Sequence, residues 1–390
     1  MNLLTTDEKN AVLRSMLNLL DRNREDIISA NEKDLEAFHR EDQALYDRLV
    51  VNQKKVDDMI RSVREVLDQE DPVGKVKSER VLDTGLRIIN KTAPFGTIMI
   101  IYESRPDVTI EAAVLAFKAN NKILLKGGKE AIHSNKILVD LWHKSLRENG
   151  LTEEWITLLN LDRQATQRFL KNPDEKLDLI VPRGGDKLIA FVKEHATCPV
   201  LVSGRGNNFL YIDSDADWDK AIRVVLNAKT DKISACNALD KVLISKHARD
   251  LESRYQELIS VLQEQGVDVV IPENGVKDEN IWYEEFLAMK ILVDFVENVE
   301  EAIDKINTYS GGHSTAILTE NPETAARFME LVDSAAVYHN ASTRFTDGGQ
   351  MGVGAELAIS TDKLHHRGPL GLEQLVTNKY YVYGDGHIRS

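Results

Sequence analysis

Two cysteines in 390 residues are too few to staple a fold. A disulfide framework is excluded, and a reducing compartment, the cytoplasm, is the expected setting. No apolar run approaches the roughly 20 residues needed to span a bilayer. The N-terminal stretch "MNLLTTDEKNAVLRSMLNLLDRN" is amphipathic and carries acidic residues, so it does not read as a signal peptide. Positive charge is scarce as well: 49 Lys and Arg against 63 Asp and Glu leave a formal net charge of -14 at pH 7. General affinity for DNA, RNA or anionic membranes draws on clustered Lys and Arg, so the composition argues against all three, and any anionic ligand must be held locally. No repeats or low-complexity tracts occur. No G-x-G-x-x-G follows an expected strand, so the standard dinucleotide fingerprint is missing. His365 and His366 in "KLHHRGP" have no Cys or His partners at metal-ligand spacing, which points to a loop role and no metal.

What is present is an ordinary globular composition, 42% apolar and 29% charged. The length exceeds what one core usually carries, so two or three domains are expected. Residues 1–70 read as helices, with Leu13, Met16, Leu19 and Leu20 recurring at spacing three and four, a style that "SANEKDLEAFHREDQALYDRLV" continues. "VLDTGLRIINKTAPF" (81–95) alternates around Thr84-Gly85 and reads as a β-hairpin whose thin apolar faces need pairing elsewhere. Then strands and helices alternate: "TIMIIY" (97–102), "KILLK" (122–126), "WITLL" and "LDLIV" (177–181) are each followed by helical sequence. This pattern predicts mostly parallel sheets covered on both faces.

Ligands of such sheets sit beyond the carboxyl ends of the strands. The turns there read "YESRPD", "LKGGKE" and "VPRGGD"; all carry Arg or Lys, and two carry paired glycines opening a helix. That is how backbone N–H groups and a helix N-terminus meet a phosphate, although Gly-Gly also simply makes a tight turn. Cys236 lies in "KTDKISACNALDKVLI", between an expected helix ending near Lys229 and an expected strand. A lone cysteine is usually a small buried apolar residue. Here Ser234, Ala235 and Asn237 offer no apolar packing face, and Lys229 and Lys232 are expected to favour the thiolate. Cys198, ahead of "PVLV", reads as structural. The Gly-rich, aperiodic "STRFTDGGQMGVGAELAIS" (342–360) suits a site-lining loop.

Together "TAPFGTIMIIYESRPDVTIEAAVLAFKANNKILLKGGKEAIHSN", "DLIVPRGGDKLI", "NAKTDKISACNALDKVLI" and "HNASTRFTDGGQMGVGAELAISTDKLHHRGPLGLEQL" resemble the γ-glutamyl phosphate reductases, or glutamate-5-semialdehyde dehydrogenases, of the aldehyde dehydrogenase superfamily. The resemblance runs from about residue 8 to 389. It implies NADPH-dependent reduction of L-glutamyl 5-phosphate to L-glutamate 5-semialdehyde and phosphate, the second step of proline biosynthesis from glutamate, through a thioester on the cysteine matching Cys236. A thioester suits this chemistry because it accepts hydride and its thiolate then leaves.

By the same resemblance the catalytic set is Cys236, Ser104 and Asn237, with the backbone N–H of Cys236 and the Ser104 side chain as oxyanion donors; a serine satisfying its own turn is the other reading of Ser104. Lys126 falls where the superfamily binds the adenosine ribose, with Lys129 near a 2′-phosphate, favouring NADPH. Gly184 and Gly185 match the pyrophosphate contact, and Glu285 the glutamate on the nicotinamide ribose. Arg105, Arg183 and Arg344 stand for the substrate's anionic groups, any one being an alternative structural ion pair. Glu103 or Asp347 stands for its ammonium.

The chain departs from its relatives in three places. No Glu base stands near Val202–Ser203, as suits an enzyme that need not activate water. Asp231-Lys232-Ile233 replaces a usual Gln-Arg-Pro, and Asn207-Asn208 lies where a Cys-His pair is usual. The expected architecture is α/β and aldehyde dehydrogenase-like, two doubly wound α/β domains plus a small β oligomerisation arm. An NADP-binding domain takes 1–79 and 96–227, a catalytic domain 228–365, and the arm 80–95 and 366–390. The expected partners are a second copy in a homodimer or homotetramer, and glutamate 5-kinase. Two rivals stay open: a relative acting on another acyl phosphate or acyl-CoA, and a silent paralogue that binds nucleotide or scaffolds a partner.

Overall fold

The structure, a computed structural model, describes residues 3–38, 43–272 and 279–389. Its contacts divide the chain into two compact units: Met1–Val202 with Gly352–Ala358 and Leu370–Ser390, and Ser203–Met351 with Ile359–Pro369.

The first unit opens with α1 (Thr6–Arg22), α2 (Arg24–Ala37), α3 (Gln43–Leu49) and α4 (Gln53–Asp68). Of the helical stretch expected across 29–50, residues 39–42 lie outside the described residues. A capping box starts α1: the Thr5 hydroxyl accepts the Glu8 N–H while the Glu8 carboxylate accepts the Thr5 N–H. Val12, Leu13, Met16, Leu19 and Leu20 then recur on one buried face.

The hairpin of β1 (Val76–Val81) and β2 (Arg87–Pro94) turns through Gly85 at φ +88°. The C-terminal strand Val376–Tyr383 pairs antiparallel with β2, so the thin-faced hairpin finds its third strand there. The arm expected from 366 to 390 is shorter at its start. Leu370, Leu372 and Leu375 are fully buried in the first unit's core, and 366–369 belong to the second unit.

Four parallel strands, β3 (Thr97–Tyr102), β4 (Lys122–Lys126), β5 (Ile156–Leu158) and β6 (Leu179–Arg183), form a sheet in the order β5-β4-β3-β6. Helices α5 (Pro106–Lys118), α6 (Ile132–Glu148), α7 (Arg163–Lys171) and α8 (Asp186–His195) alternate with them. Along β3, Ile98, Ile100 and Tyr102 join one apolar cluster and Met99 and Ile101 the opposite one. A strand covered on both faces reads as an unbroken apolar run because its period-2 alternation has no polar side.

The second unit holds a six-stranded parallel sheet: β7 (Asn208–Ile212), β8 (Leu239–Ser245), β9 (Asp268–Val270), β10 (Lys290–Val296), β11 (Ser314–Leu318) and β12 (Ala336–His339), in the order β12-β11-β7-β8-β10-β9. Helices α9 (Trp218–Thr230), α10 (Leu251–Glu264), α11 (Val299–Tyr309) and α12 (Pro322–Leu331) cover it. The units divide at 202/203, not at the expected 227/228. β7 hydrogen-bonds to β8 and β11, and α9 packs on the same sheet, so both belong with the strands that follow them. Among the described residues no helix is long and apolar enough to cross a membrane.

Candidate active site

In the second unit α9 ends at Thr230 and β8 begins at Leu239, leaving 231–238 as the loop that carries Cys236. Two tight turns shape it, Ala235 N–H to Lys232 O at 3.1 Å and Ala238 N–H to Ala235 O at 3.0 Å. Asn208, at the start of β7, holds it from behind. Its Nδ2 donates to the carbonyls of Gly206 (2.8 Å), Cys236 (2.8 Å) and Ala238 (2.7 Å), while its Oδ1 accepts the Ser314 N–H at 3.0 Å. Gly206 lies directly on the cysteine backbone: a Cβ there would overlap the Cys236 carbonyl oxygen and stand 2.6 Å from Cys236 Cα. Cys236 itself is half-buried and forms no disulfide.

Asn237, expected in the catalytic set, is engaged as an anchor. Its Nδ2 donates to Thr346 O (2.9 Å) and Arg344 O (3.2 Å), and its own carbonyl accepts the Thr343 hydroxyl at 2.8 Å. Lys229, expected to favour the thiolate, is fully buried and paired with Asp240 at 3.0 Å, so its charge is offset there; Lys232 is exposed. Arg344 Nε pairs with Asp231 Oδ2 at 3.0 Å, tying it to the first residue of the cysteine loop. Asp347 Oδ1 accepts the N–H groups of Gly349 and Gln350, closing its own turn. Glu285 is half-buried in the loop before β10. The structure thus groups Cys236, Asn237 and Arg344 around one loop. Asn208, noted in the sequence only as a departure from a usual Cys-His pair, and Gly206, not singled out there, are the residues that hold the loop from behind.

Behind this loop His313 is buried, its Nδ1 at 2.7 Å from Ser314 Oγ, which in turn donates to Thr346 Oγ1 at 2.7 Å. Burial pushes the imidazole pKa down to about 4. The unfolded chain binds a proton here below about pH 6.5 and the folded chain does not, so stability present at neutral pH is lost as pH falls through that window to about 4. We expect a loss of about 2 kcal/mol between pH 7 and 5 from this group. Urea midpoints at the two pH values measure it, and His313→Gln should flatten the dependence.

In the first unit Ser104 is buried in the turn after β3. Arg105 forms the N-terminal cap position of α5 and bonds Asp107 Oδ2 at 3.1 Å, which also takes Lys55 Nζ at 2.8 Å. Burial alone would push the Asp107 carboxyl up, but Arg105 and Lys55 hold it down at about 2. Arg183, the last residue of β6, donates to the Leu357 carbonyl. Glu103 is exposed, with its carboxyl carbon 2.7 Å from where a Cβ on Gly184 would lie.

The two glycine-pair turns differ in what they offer an anion. At α6 the place is taken: Asp34 from α2 accepts the N–H groups of His133 (3.0 Å) and Ser134 (2.8 Å) and the Ser134 hydroxyl (2.6 Å). The expected phosphate seat on that helix end is therefore filled by a carboxylate of the protein, the charge its dipole favours. At α8, Gly185 is the cap residue, exposed, with no side-chain capping bond, and a Cβ on it would meet open space. An exposed glycine at a helix N-terminus is where an anion could approach the backbone N–H groups.

The "LKGGKE" turn has another use. A Cβ on Gly127 would overlap Asn135 Nδ2 and lie 3.1 Å from the Tyr102 ring, so only glycine keeps the chain this close to α6. A groove remains, lined by Lys126, Gly127, Lys129, Leu158 and Asn160. Lys126 is half-buried, donates to Gly127 O at 2.9 Å, and has its pKa lowered by burial; Lys129 is exposed at the rim. Cations at a groove and an exposed glycine at a helix N-terminus, both in one unit, could hold a dinucleotide. Among the described residues no group of three or more His, Cys, Asp or Glu is placed to hold a metal ion.

Comparison with known proteins agrees with this layout. The sequence profile of the Aldehyde dehydrogenase family matches residues 1–265. γ-Glutamyl phosphate reductase 2 of Bacillus licheniformis is 44% identical over 100% of this chain and 94% of its own length. The γ-glutamyl phosphate reductase of Thermotoga maritima is 42% identical over 99% and 95%, and its crystal structure superposes with a TM-score of 0.94. An acetylating aldehyde dehydrogenase from Geobacillus thermoglucosidasius, 15% identical with a TM-score of 0.71 over 99% of this chain and 94% of its own, shares the fold. With its cysteine loop, its two parallel sheets and this likeness along its whole length, the chain belongs to the aldehyde dehydrogenase family and, within it, to the γ-glutamyl phosphate reductases.

Proposed function

We propose that this chain reduces L-glutamyl 5-phosphate to L-glutamate 5-semialdehyde and inorganic phosphate with NADPH, in proline biosynthesis in the cytoplasm. The observation that carries the reading is the agreement along the whole chain with the Thermotoga reductase, at 42% identity and a TM-score of 0.94. The first unit is the cofactor unit: Lys126 and Lys129 hold the adenosine end and the Gly184–Gly185 helix end the pyrophosphate. Glu285 of the second unit holds the nicotinamide ribose. Arg105, Arg183 and Arg344 serve the phosphate and carboxylate of the substrate, and Glu103 or Asp347 its ammonium.

Cys236 Sγ attacks the acyl carbon; the carbon–sulfur bond forms, the bond to the phosphate oxygen breaks, and phosphate leaves with the electron pair. The Cys236 N–H and the Ser104 hydroxyl donate to the carbonyl oxygen as it gains charge. With a hydride of the kind a bound nicotinamide cofactor would supply, the thioester on Cys236 becomes a thiohemiacetal. Collapse of that adduct expels the Cys236 thiolate and frees the aldehyde. No carboxylate stands at Val202–Ser203 to activate water, which protects the thioester from hydrolysis.

The test runs the reaction backwards, following NADP reduction with glutamate semialdehyde in equilibrium with pyrroline carboxylate. Activity should require phosphate; activity that requires coenzyme A instead would overturn the reading in favour of an acyl-CoA relative. Lys129→Glu should raise the KM for NADPH about tenfold and leave that for NADH nearly unchanged, because a rim cation serves only the 2′-phosphate. Steady-state kinetics with both cofactors check this.

Among the described residues the three-stranded arm pairs only through β2, leaving the outer edges of β1 and of the C-terminal strand without a partner strand, with Val76, Val81, Tyr380 and Val382 exposed. Open edges of this kind invite another strand, and a second copy in a homodimer or homotetramer is the occupant we favour. Direct transfer of the labile acyl phosphate from glutamate 5-kinase is the further partnership this chemistry suits.

A further inference from the structure

We infer that Asp240 is a positioning residue, registering the backbone of Glu285 against the cysteine loop through one buried carboxylate. The inference rests on the reading of Cys236 and Glu285 given above. Asp240 is the second residue of β8 and only 2% exposed. Its Oδ1 accepts Lys229 Nζ at 3.0 Å, joining the last turn of α9 to the first turn of chain in β8 and so closing the stem of the loop that carries Cys236. Its Oδ2 accepts the Phe286 N–H at 3.0 Å, the amide immediately after Glu285. The next residue of the strand completes the clamp. Lys241 Nζ donates to the Glu284 carbonyl, immediately before Glu285, and lies 3.9 Å from the centre of the Phe286 ring. Glu285 is therefore gripped through the main chain on both sides by consecutive residues of the strand that the cysteine loop enters.

A buried ion pair by itself is weak evidence for anything beyond packing, since apolar residues of similar volume often replace one at little cost. What distinguishes this pair is the second carboxylate oxygen, which serves a backbone amide across 46 residues of sequence. Its two bonds are separable by mutation. Lys229→Met with Asp240→Asn removes the stem pair and keeps an acceptor for Phe286; Lys229→Met with Asp240→Leu removes both.

The readouts are protection of the Phe286 amide by hydrogen exchange, NADPH affinity by fluorescence titration, and steady-state kinetics. In the Met/Asn variant we expect Phe286 to stay protected, the NADPH Kd to stay within about threefold, and kcat to fall about tenfold as the cysteine loop loosens. The Met/Leu variant should lose protection at Phe286 and bind NADPH about tenfold more weakly. Equal NADPH affinity in the two double variants would overturn the assignment, as would an unchanged kcat in the Met/Asn variant, which alone decides the matter if the Met/Leu variant fails to fold. Glu285→Gln is the separate control. If it leaves NADPH affinity unchanged, the reading of Glu285 as a cofactor ligand has failed, whereas Phe286 protection still judges the clamp itself.

Discussion

Cys236→Ser should fold normally and lose phosphate-dependent NADP reduction by about 10⁴-fold or more, the scale on which removal of a covalent nucleophile acts. Serine is close to cysteine in volume, and the Asn208 bond to the residue's carbonyl is one the substitution leaves in place. What disappears is a nucleophile that is ionised in useful amounts near neutral pH, attacks an acyl phosphate, and leaves again from a tetrahedral adduct. Thermal melting within a degree or two of the parent, together with the kinetic loss, would separate chemistry from folding. Labelling offers an independent check. Burial, with Asp178 adding to it, pushes the Cys198 thiol pKa up, and thiols so placed react slowly. Iodoacetamide at pH 7, read out by mass spectrometry, should modify Cys236 first; preferential labelling of Cys198 would contradict the assignment of the nucleophile.

Gly206→Ala should lower kcat about 100-fold and also destabilise the chain by about 1–3 kcal/mol. The added methyl would fall on main-chain atoms of Cys236, a carbonyl oxygen, its carbon and Cα, none of which can rotate aside as a flexible side chain would. Either the 203–207 segment or the cysteine loop must shift, and the three carbonyls gathered on Asn208 Nδ2 leave little slack for it. Displacement of a reacting atom by about 1 Å is enough for a loss of this size. Urea melts measure the stability term and initial rates the catalytic one. An alanine variant with unchanged kcat would show that the loop tolerates displacement and that Gly206 is a packing residue only.

Both predictions show where sequence reading reached and where it stopped. β3 and β4 were legible to the residue, because a strand buried on both faces leaves an apolar run with sharp polar ends, "TIMIIY" and "KILLK". Cys236 was legible from its small, polar surroundings and from the motif that contains it. The phosphate-seat reading of "LKGGKE" failed for a reason no local pattern carries. The carboxylate that fills the end of α6 comes from Asp34, 99 to 100 residues upstream. Lys229 next to Cys236 in sequence suggested help for the thiolate, yet its charge is turned to Asp240 and buried.

The sequence by itself therefore determined the kinds of elements, their order and the family, and it singled out Cys236 as the candidate nucleophile, since periodicity, turn residues and contiguous motifs are properties of neighbours along a chain. Tertiary structure alone decided which groups hold the Cys236 loop and that the end of α6 is taken by Asp34. It also decided that the units divide at 202/203, where β7 leaves the strands before it to pair with β8 and β11. Those choices are made by hydrogen bonds between residues far apart in the chain, Asn208 with Ser314 or Asp240 with Phe286. Such a bond exists only once the sheet has brought its two ends together.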